Sequence, residues 1–429
     1  MGAVDAANST GATALYEAVG MRVVKRLDVW ERALDPSAVT ATSIPVPDLR
    51  HCLSPQRHKR IDLTRPTASG VTSKANARSH AERSRKMRAI VCTRYGPPDV
   101  LRLRQVPKPV PKDDEVLIRI RATTAATADC ELRRFDFAPW IWLPMRLGFG
   151  ISRPRRKVLG QELAGDVESV GKDVRSFAVG DRVFGTTGIG LGAYAEYICL
   201  RENPQTGAIA TMPAKLGYEE AAAVPYGGGE ALEFLRKGNV GSGQRVLVNG
   251  AGGSFGTFAV QLAKVLGAHV TAVDGAPKLE MLRAIGADRV IDYSREAFTD
   301  GSETWDVIFD VVRGTPSGSM VRSLNEDGCL LMANPGFLQI VRAKWAARGS
   351  KKRVSFTGRS GTGEDLAYLG SLVEEGKLHP VIDRRFRLEQ MAEAHRYAET
   401  GRKLGNIVIT VDRGEGAAGG ARRADGGLL

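Results

Sequence analysis

Hydrophobic residues change their period several times along this chain, and the sharpest change lies between Gln244 and Asp274, QRVLVNGAGGSFGTFAVQLAKVLGAHVTAVD. The apolar run Val246-Leu247-Val248 predicts a buried strand. A glycine-rich turn, Gly250 to Gly256, follows it. Phe255, Phe258, Ala259, Leu262, Ala263 and Leu266 then recur at helical spacing, and Gly267 ends the helix. His269 to Val273 predicts a second strand, which ends at Asp274. Strand, glycine turn, helix, strand and acid form the βαβ unit that holds dinucleotides.

The chemistry of that unit is specific. The backbone turns sharply out of a strand, which glycine permits. A diphosphate then approaches main-chain N–H groups at a helix start, where no side chain can intrude. Ala251, Gly253 and Gly256 occupy the three places of the G-x-G-x-x-G pattern, with Ser254 in the turn and Phe255 the first of the helically spaced residues. An acid about twenty residues on, here Asp274, suits a ribose hydroxyl.

Before this unit the pattern is that of short strands. Ala89 to Cys92, Val116 to Ala122, Leu163 to Ser169, Arg182 to Phe184 and Tyr194 to Leu200 are predicted strands. Turns are expected at Gly96-Pro97-Pro98 and from Pro107 to Lys112. After it, Arg289 to Asp292, Asp306 to Val311, Gly328 to Ala333 and Arg353 to Thr357 are further strands, mostly separated by helical stretches. With the two above they make six, as in a doubly wound fold. A helix from Glu364, a strand from Val381 to Leu388, a helix from Met391 to Glu399 and a strand from Ile407 to Val411 close the pattern.

The ends differ. Residues 1–86 show one amphipathic stretch, Leu15 to Leu34, and otherwise little period. They carry 14 Lys/Arg against 8 Asp/Glu, six of the net charge of +13. This segment is read as a disordered extension or as a mis-called start ahead of Met87. The tail from Arg413 is expected to be disordered.

Composition adds exclusions. No run of eighteen apolar residues predicts a membrane span. Five scattered cysteines with no C-x-x-C pair suggest neither a disulfide framework nor a cysteine zinc cluster, and fit a reducing, cytoplasmic setting. The basic balance carries no nucleic-acid-reading motif. The Trp-rich segment Arg133 to Lys157 has basic ends. It can be a flap over an apolar pocket, an insertion packed on its own domain, or a peripheral membrane contact. Ile340 to Arg353 reads as an exposed basic loop, a lipid-facing segment or a border of the substrate entrance.

Taken together, MRAIVCTRYGPPDVL, LGQELAGDVESVGKDV, VGDRVFG, GAYAEY, NGAGGSFGTFAVQLAK and GNIVIT resemble the zinc-independent quinone oxidoreductase-like branch of the medium-chain dehydrogenase/reductase superfamily. The likeness runs from about Met87 to Val411. It implies an α/β fold: a doubly wound parallel Rossmann sheet, residues 215–357, inserted in a β-rich catalytic domain of the chaperonin-10-like type, residues 87–214 and 358–412. It implies a homodimer that passes a hydride from NADPH or NADH to a small apolar electrophile, a quinone or an α,β-unsaturated carbonyl. The alternatives are a weakly catalytic, membrane-associated NAD(P)-binding protein and an alcohol dehydrogenase-like enzyme.

Site residues follow from the resemblance. Zinc-using relatives place Cys near Ala126 and His at Gln161, so no zinc is expected here. His269, His379 and His395 lack ligand spacing and read as structural. Asp274 favours NADH, whereas Lys278 and Tyr293 match positions that hold a 2′-phosphate, and the balance tips to NADPH. Lys278 can instead pair with Asp274 or Glu280. Relatives often carry Asn at Ala126 and Thr at Tyr226 or Glu230, and this chain departs at all three. Tyr226 is the one candidate catalytic acid. Asn334 matches a loop that approaches the nicotinamide.

Overall fold

The computed structural model describes residues 86–137, 139–300, 303–356 and 361–411. The expectations for residues 1–85 and for the tail from Arg413 lie outside the described residues.

The described residues open with an antiparallel pair, β1 (Lys86–Cys92) and β2 (Leu101–Pro107). β3 (Glu115–Thr124), β4 (Glu162–Val170), β5 (Arg182–Thr186), β6 (Tyr197–Arg201) and β7 (Ala208–Thr211) follow. β2 and β7 were not foreseen. Prolines flank β2, and β7 is only four alanine-rich residues long, so neither carries a strong period. The strand expected from Tyr194 begins at Tyr197, because the main chain of Tyr194 donates to Leu159 O and accepts the Ile90 N–H instead of pairing with β3.

The second sheet is built from β8 (Arg245–Asn249), β9 (His269–Asp274), β10 (Arg289–Asp292), β11 (Trp305–Asp310), β12 (Leu324–Met332) and β13 (Arg353–Ser355). Its order is β10-β9-β8-β11-β12-β13, and every pair is parallel. This is the doubly wound order, whose ligand crevice lies at the carboxyl ends of the central strands, β8 and β11. Val246, Leu247 and Val248 are wholly buried, as a strand covered on both faces requires.

The chain then returns to the first sheet through β14 (Ile382–Arg387) and β15 (Asn406–Thr410). β15 pairs with β3, giving the order β14-β15-β3-β4-β5-β7, with β6 also on β3. One apolar cluster joins the two sheets, running through Phe184, Phe234, Phe258, Leu369 and Val408. The helix Ser254–Val265 buries Phe258, Ala259, Leu262 and Ala263 in it.

Two segments correct or narrow the sequence reading. Residues 337–346 form a helix, Phe337–Ala346, rather than a loop, and it leaves Trp345 76% exposed. The Gln339 side chain caps its start by accepting the Gly336 N–H at 2.8 Å. The Trp-rich segment contains the helix Pro139–Phe149 with Pro144 inside it. Its flanking Phe137 and Phe149 pack on the core of the first sheet. No helix among the described residues is long and apolar enough to cross a membrane.

Candidate active site

The site begins where β8 stops. Gly250 takes φ +79°, and the N–H groups of Gly250 and Ala251 both donate to Val273 O, at 3.0 and 3.1 Å, which ties the turn to β9. Gly253 caps the helix Ser254–Val265 in an extended conformation. The first N–H groups of a helix have no acceptor within it, so the turn presents donors to an anion. The two later glycines differ in function. A methyl on Gly256 would lie 2.4 Å from Gly250 O, so this glycine lets the helix press on the turn. A methyl on Gly253 would meet only Gly250 O, at 3.7 Å. That space is empty of protein and suits a close-approaching phosphate.

A cleft of about 920 Å³ opens over the turn. Gly253, Ser254, Phe255, Asp274, Lys278, Tyr293, Asn334 and Tyr226 all line it. Eight of the ten residues expected at the site are thus brought together. Ala251 and Gly256 lie beneath, shaping the turn; Ala251 is fully buried.

At the β9 end, Asp274 is 8% exposed. Its carboxylate accepts the N–H of Gly252 and of Gly275, each at 2.8 Å. Lys278 Nζ lies 3.2 Å from it. Of the partners open to Lys278, the structure therefore selects Asp274. Tyr293 is 63% exposed beside Gly275.

The other end is apolar. Ala126, Phe137, Met145, Phe149, Ile189 and Leu191 line it. The Trp-rich segment therefore walls the cleft from one face, while Trp142, Leu143 and Leu147 on the other face are exposed. Asn334 Nδ2 donates to Glu131 Oε1 at 3.3 Å across the mouth. Tyr226 packs its ring against Phe255, 5.1 Å between centroids. Burial, then the nearby Glu230, Asp129, Glu162 and Glu131, pushes its phenol well above the usual range. Among the described residues nothing hydrogen-bonds to that hydroxyl.

Sequence reasoning missed four residues here. Glu162, 2% exposed, accepts the Tyr226 N–H at 2.8 Å and the Thr124 hydroxyl. Burial raises its pKa to about 7, and the same cause raises Asp129 and Glu230 to about 7. Glu162 adjoins Gln161, which drew attention as a metal position, but its own burial leaves no mark in the sequence. Cys130 lines the cleft and meets His395 Nδ1 at 3.3 Å. Burial lifts the Cys130 thiol to about 12 and drops His395 to about 3, so the pair is a neutral structural contact. Glu131 lines the mouth. Lys403, 6% exposed, lines the cleft from the second half of the catalytic sheet. No local spacing links it to Ser254.

The metal positions carry no ligands. Ala126 offers a methyl group, and the Gln161 amide donates to Gly188 O at 3.2 Å. No group of three His, Cys, Asp or Glu among the described residues could hold a metal ion.

Comparison with known proteins supplies the context. A family described as "Alcohol dehydrogenase GroES-like domain" matches residues 112–206, and one described as "Zinc-binding dehydrogenase" matches residues 285–409. The chain is 32% identical over 362 residues to a 2-methylene-furan-3-one reductase from Solanum lycopersicum, covering 80% of this chain and 84% of that one. It is 29% identical to the NADPH-dependent alkenal/one oxidoreductase, chloroplastic, of Arabidopsis thaliana, with the same coverage of 80% and 84%. Among solved structures, the quinone oxidoreductase from Coxiella burnetii is similar, with 30% identity and a TM-score of 0.68, covering 76% of this chain and 100% of that one.

Proposed function

Because this chain belongs to the quinone oxidoreductase-like branch of the medium-chain dehydrogenase/reductase superfamily, we propose that it reduces quinones or α,β-unsaturated carbonyls with NADPH and without zinc. One observation carries the proposal. A single cleft joins a bare anion cradle at Gly253 and Ser254 to an apolar chamber walled by Phe137, Met145 and Phe149. A dinucleotide suits the first part and a flat apolar electrophile the second.

With its diphosphate in the cradle, the dinucleotide would supply a hydride from its nicotinamide. The chain supplies position and charge. The N–H groups at the start of Ser254–Val265 would hold the diphosphate, and Asp274, held by Gly252, Gly275 and Lys278, would border the ribose. Lys278 and the exposed Tyr293 flank Asp274, where a 2′-phosphate would gain a cation and a hydroxyl; this supports NADPH. The apolar wall excludes water. The Tyr226 hydroxyl, without a partner among the described residues, would donate to the acceptor oxygen as negative charge builds there. Glu162 fixes the Tyr226 backbone by accepting its N–H.

The donor set argues against zinc. A methyl group and a neutral amide cannot replace a thiolate and an imidazole. Without a Lewis acid, plain alcohols are poor substrates, whereas a conjugated acceptor already spreads incoming charge onto oxygen.

The test is a spectrophotometric screen of quinones, enones and alcohols with each cofactor. Turnover of quinones or enones with NADPH over NADH is expected. Alcohol oxidation that tracks stoichiometric zinc would overturn the reading.

A further inference from the structure

Lys403 is a charged side chain almost wholly removed from water, and no carboxylate among the described residues lies within ion-pair distance of it. Its Nζ donates to Ser254 Oγ at 2.8 Å and to Gly405 O at 2.6 Å. An ammonium has three N–H donors, so one is left for a ligand. The backbone around it is tied to the glycine turn. Gly405 N–H donates to Gly252 O at 2.9 Å, and Ser254 Oγ lies 3.1 Å from Gly405 O. Gly405 holds φ +66°, and a methyl there would lie 2.5 Å from Val381 O. Lys403 is therefore fixed above the first residue of the helix Ser254–Val265, in the lining of the cleft.

We infer that Lys403 binds the diphosphate of the dinucleotide, clamping it against the Ser254 end of the helix from the catalytic half of the chain. The inference rests on the dinucleotide reading of this cleft and adds a residue to it. Three observations agree. A buried cation without a counter-ion is costly, and an anionic ligand offsets that cost. The helix start beside it attracts the same ligand. Burial, with Lys278 nearby, lowers the lysine's pKa to about 8, while Cys130, Glu162 and Asp383 act the other way. The proton is thus held loosely until an anion arrives. An ordinary structural lysine would instead sit on a carboxylate, as Lys278 does on Asp274.

ADP is the direct probe, because it carries the diphosphate without nicotinamide or acceptor. Titration calorimetry of the full chain with ADP is compared for the parent, Lys403→Met and Lys403→Gln. The glutamine keeps a neutral donor toward Ser254 and Gly405, so it separates charge from anchoring. Thermal midpoints are recorded with and without ADP. Both variants are expected to bind ADP at least tenfold more weakly. Without nucleotide, Lys403→Met should melt no lower than the parent, since an uncompensated buried charge is gone, and its ADP-induced rise should shrink. The ratio of NADPH to NADH affinity should stay at the parent value in both, because the 2′-phosphate lies elsewhere. Unchanged ADP affinity in either folded variant overturns the inference, as does a lowered midpoint with parent-like binding. A parent that binds neither ADP nor NADPH would instead refute the dinucleotide reading itself.

Discussion

Two glycines three residues apart allow the site to be separated from the fold. Consider Gly256→Ala first. The new methyl would lie 2.4 Å from Gly250 O and 2.5 Å from Ala251 Cα and O. All are backbone atoms of the turn, so the helix must move away from β8. Overpacking of this kind costs about 1–3 kcal/mol, and rigid neighbours place it toward the upper end. Alanine regains about 1 kcal/mol of helix propensity. A net loss of about 1–2 kcal/mol is expected. Now consider Gly253→Ala. Its methyl meets nothing nearer than 3.7 Å, in a backbone conformation that alanine adopts freely. Loss of a glycine cap costs only a few tenths of a kcal/mol. Yet the methyl fills the space where a diphosphate approaches the helix start. Losing one charge-assisted hydrogen bond there costs about 1.5–3 kcal/mol, roughly ten- to hundredfold in affinity. Urea midpoints and ADP titration of both variants provide the assay. Gly256→Ala should lose stability; Gly253→Ala should keep stability and lose nucleotide. Parent-like ADP affinity in Gly253→Ala, or a parent-like midpoint in Gly256→Ala, refutes the reasoning.

Tyr226→Phe keeps the ring contact with Phe255 and removes only the hydroxyl; kcat should fall about tenfold or more with little change in KM for NADPH. Unchanged kcat with an enone would remove Tyr226 from the chemistry. Glu162 gives a pH prediction. Its folded pKa is raised to about 7 from an ordinary 4.5, so its contribution to stability is complete below about 4.5 and is lost as pH rises through 7. Each pH unit in that window costs up to about 1.4 kcal/mol for such a carboxyl. His395, lowered to about 3, acts in the opposite direction as pH falls below its ordinary 6.5. The contrast with Glu162→Gln cancels that effect. The parent should lose thermal stability relative to Glu162→Gln between pH 5 and 8, and parallel curves would refute the buried-acid account.

Legibility in the sequence followed the range of each interaction. The β8 turn, its helix and Asp274 form one local unit whose glycines and apolar period are both visible, so the cradle was readable. The doubly wound fold was readable from the number of strands and their spacing; the strand order came from the pairing itself. Lys403 and Glu162 were hidden because their properties arise from packing. Lys403 acts on Ser254 across 149 positions, and Glu162 becomes unusual only when buried under Tyr226. Lys278 was readable as a cation near the ribose, but its partner depended on the turn at Gly275. The helix Phe337–Ala346 was not legible because its exposed aromatic and basic residues mask an inward face of Ile340 and Ala343.

The two ends of the cleft are electrically different, and this difference suits hydride transfer without a metal. The cofactor end holds Lys403 and the Lys278–Asp274 pair, with helix N–H groups where phosphates would lie. Behind the apolar lining at the other end, Glu162 borders the cleft and Asp129 and Glu230 lie near Tyr226, each raised to about 7 by desolvation. Ionised carboxylates there would repel the oxygen that gains charge as hydride arrives. Held largely neutral below pH 7, they leave the Tyr226 hydroxyl as a donor in a low-dielectric chamber, where one hydrogen bond to a developing anion counts for more than in water. A zinc ion would supply the same stabilisation as a Lewis acid. With a methyl group at residue 126 and an amide at residue 161, the chain relies on an acceptor that delocalises its own charge. The proposed preference for conjugated acceptors over alcohols would follow from that electrostatic arrangement.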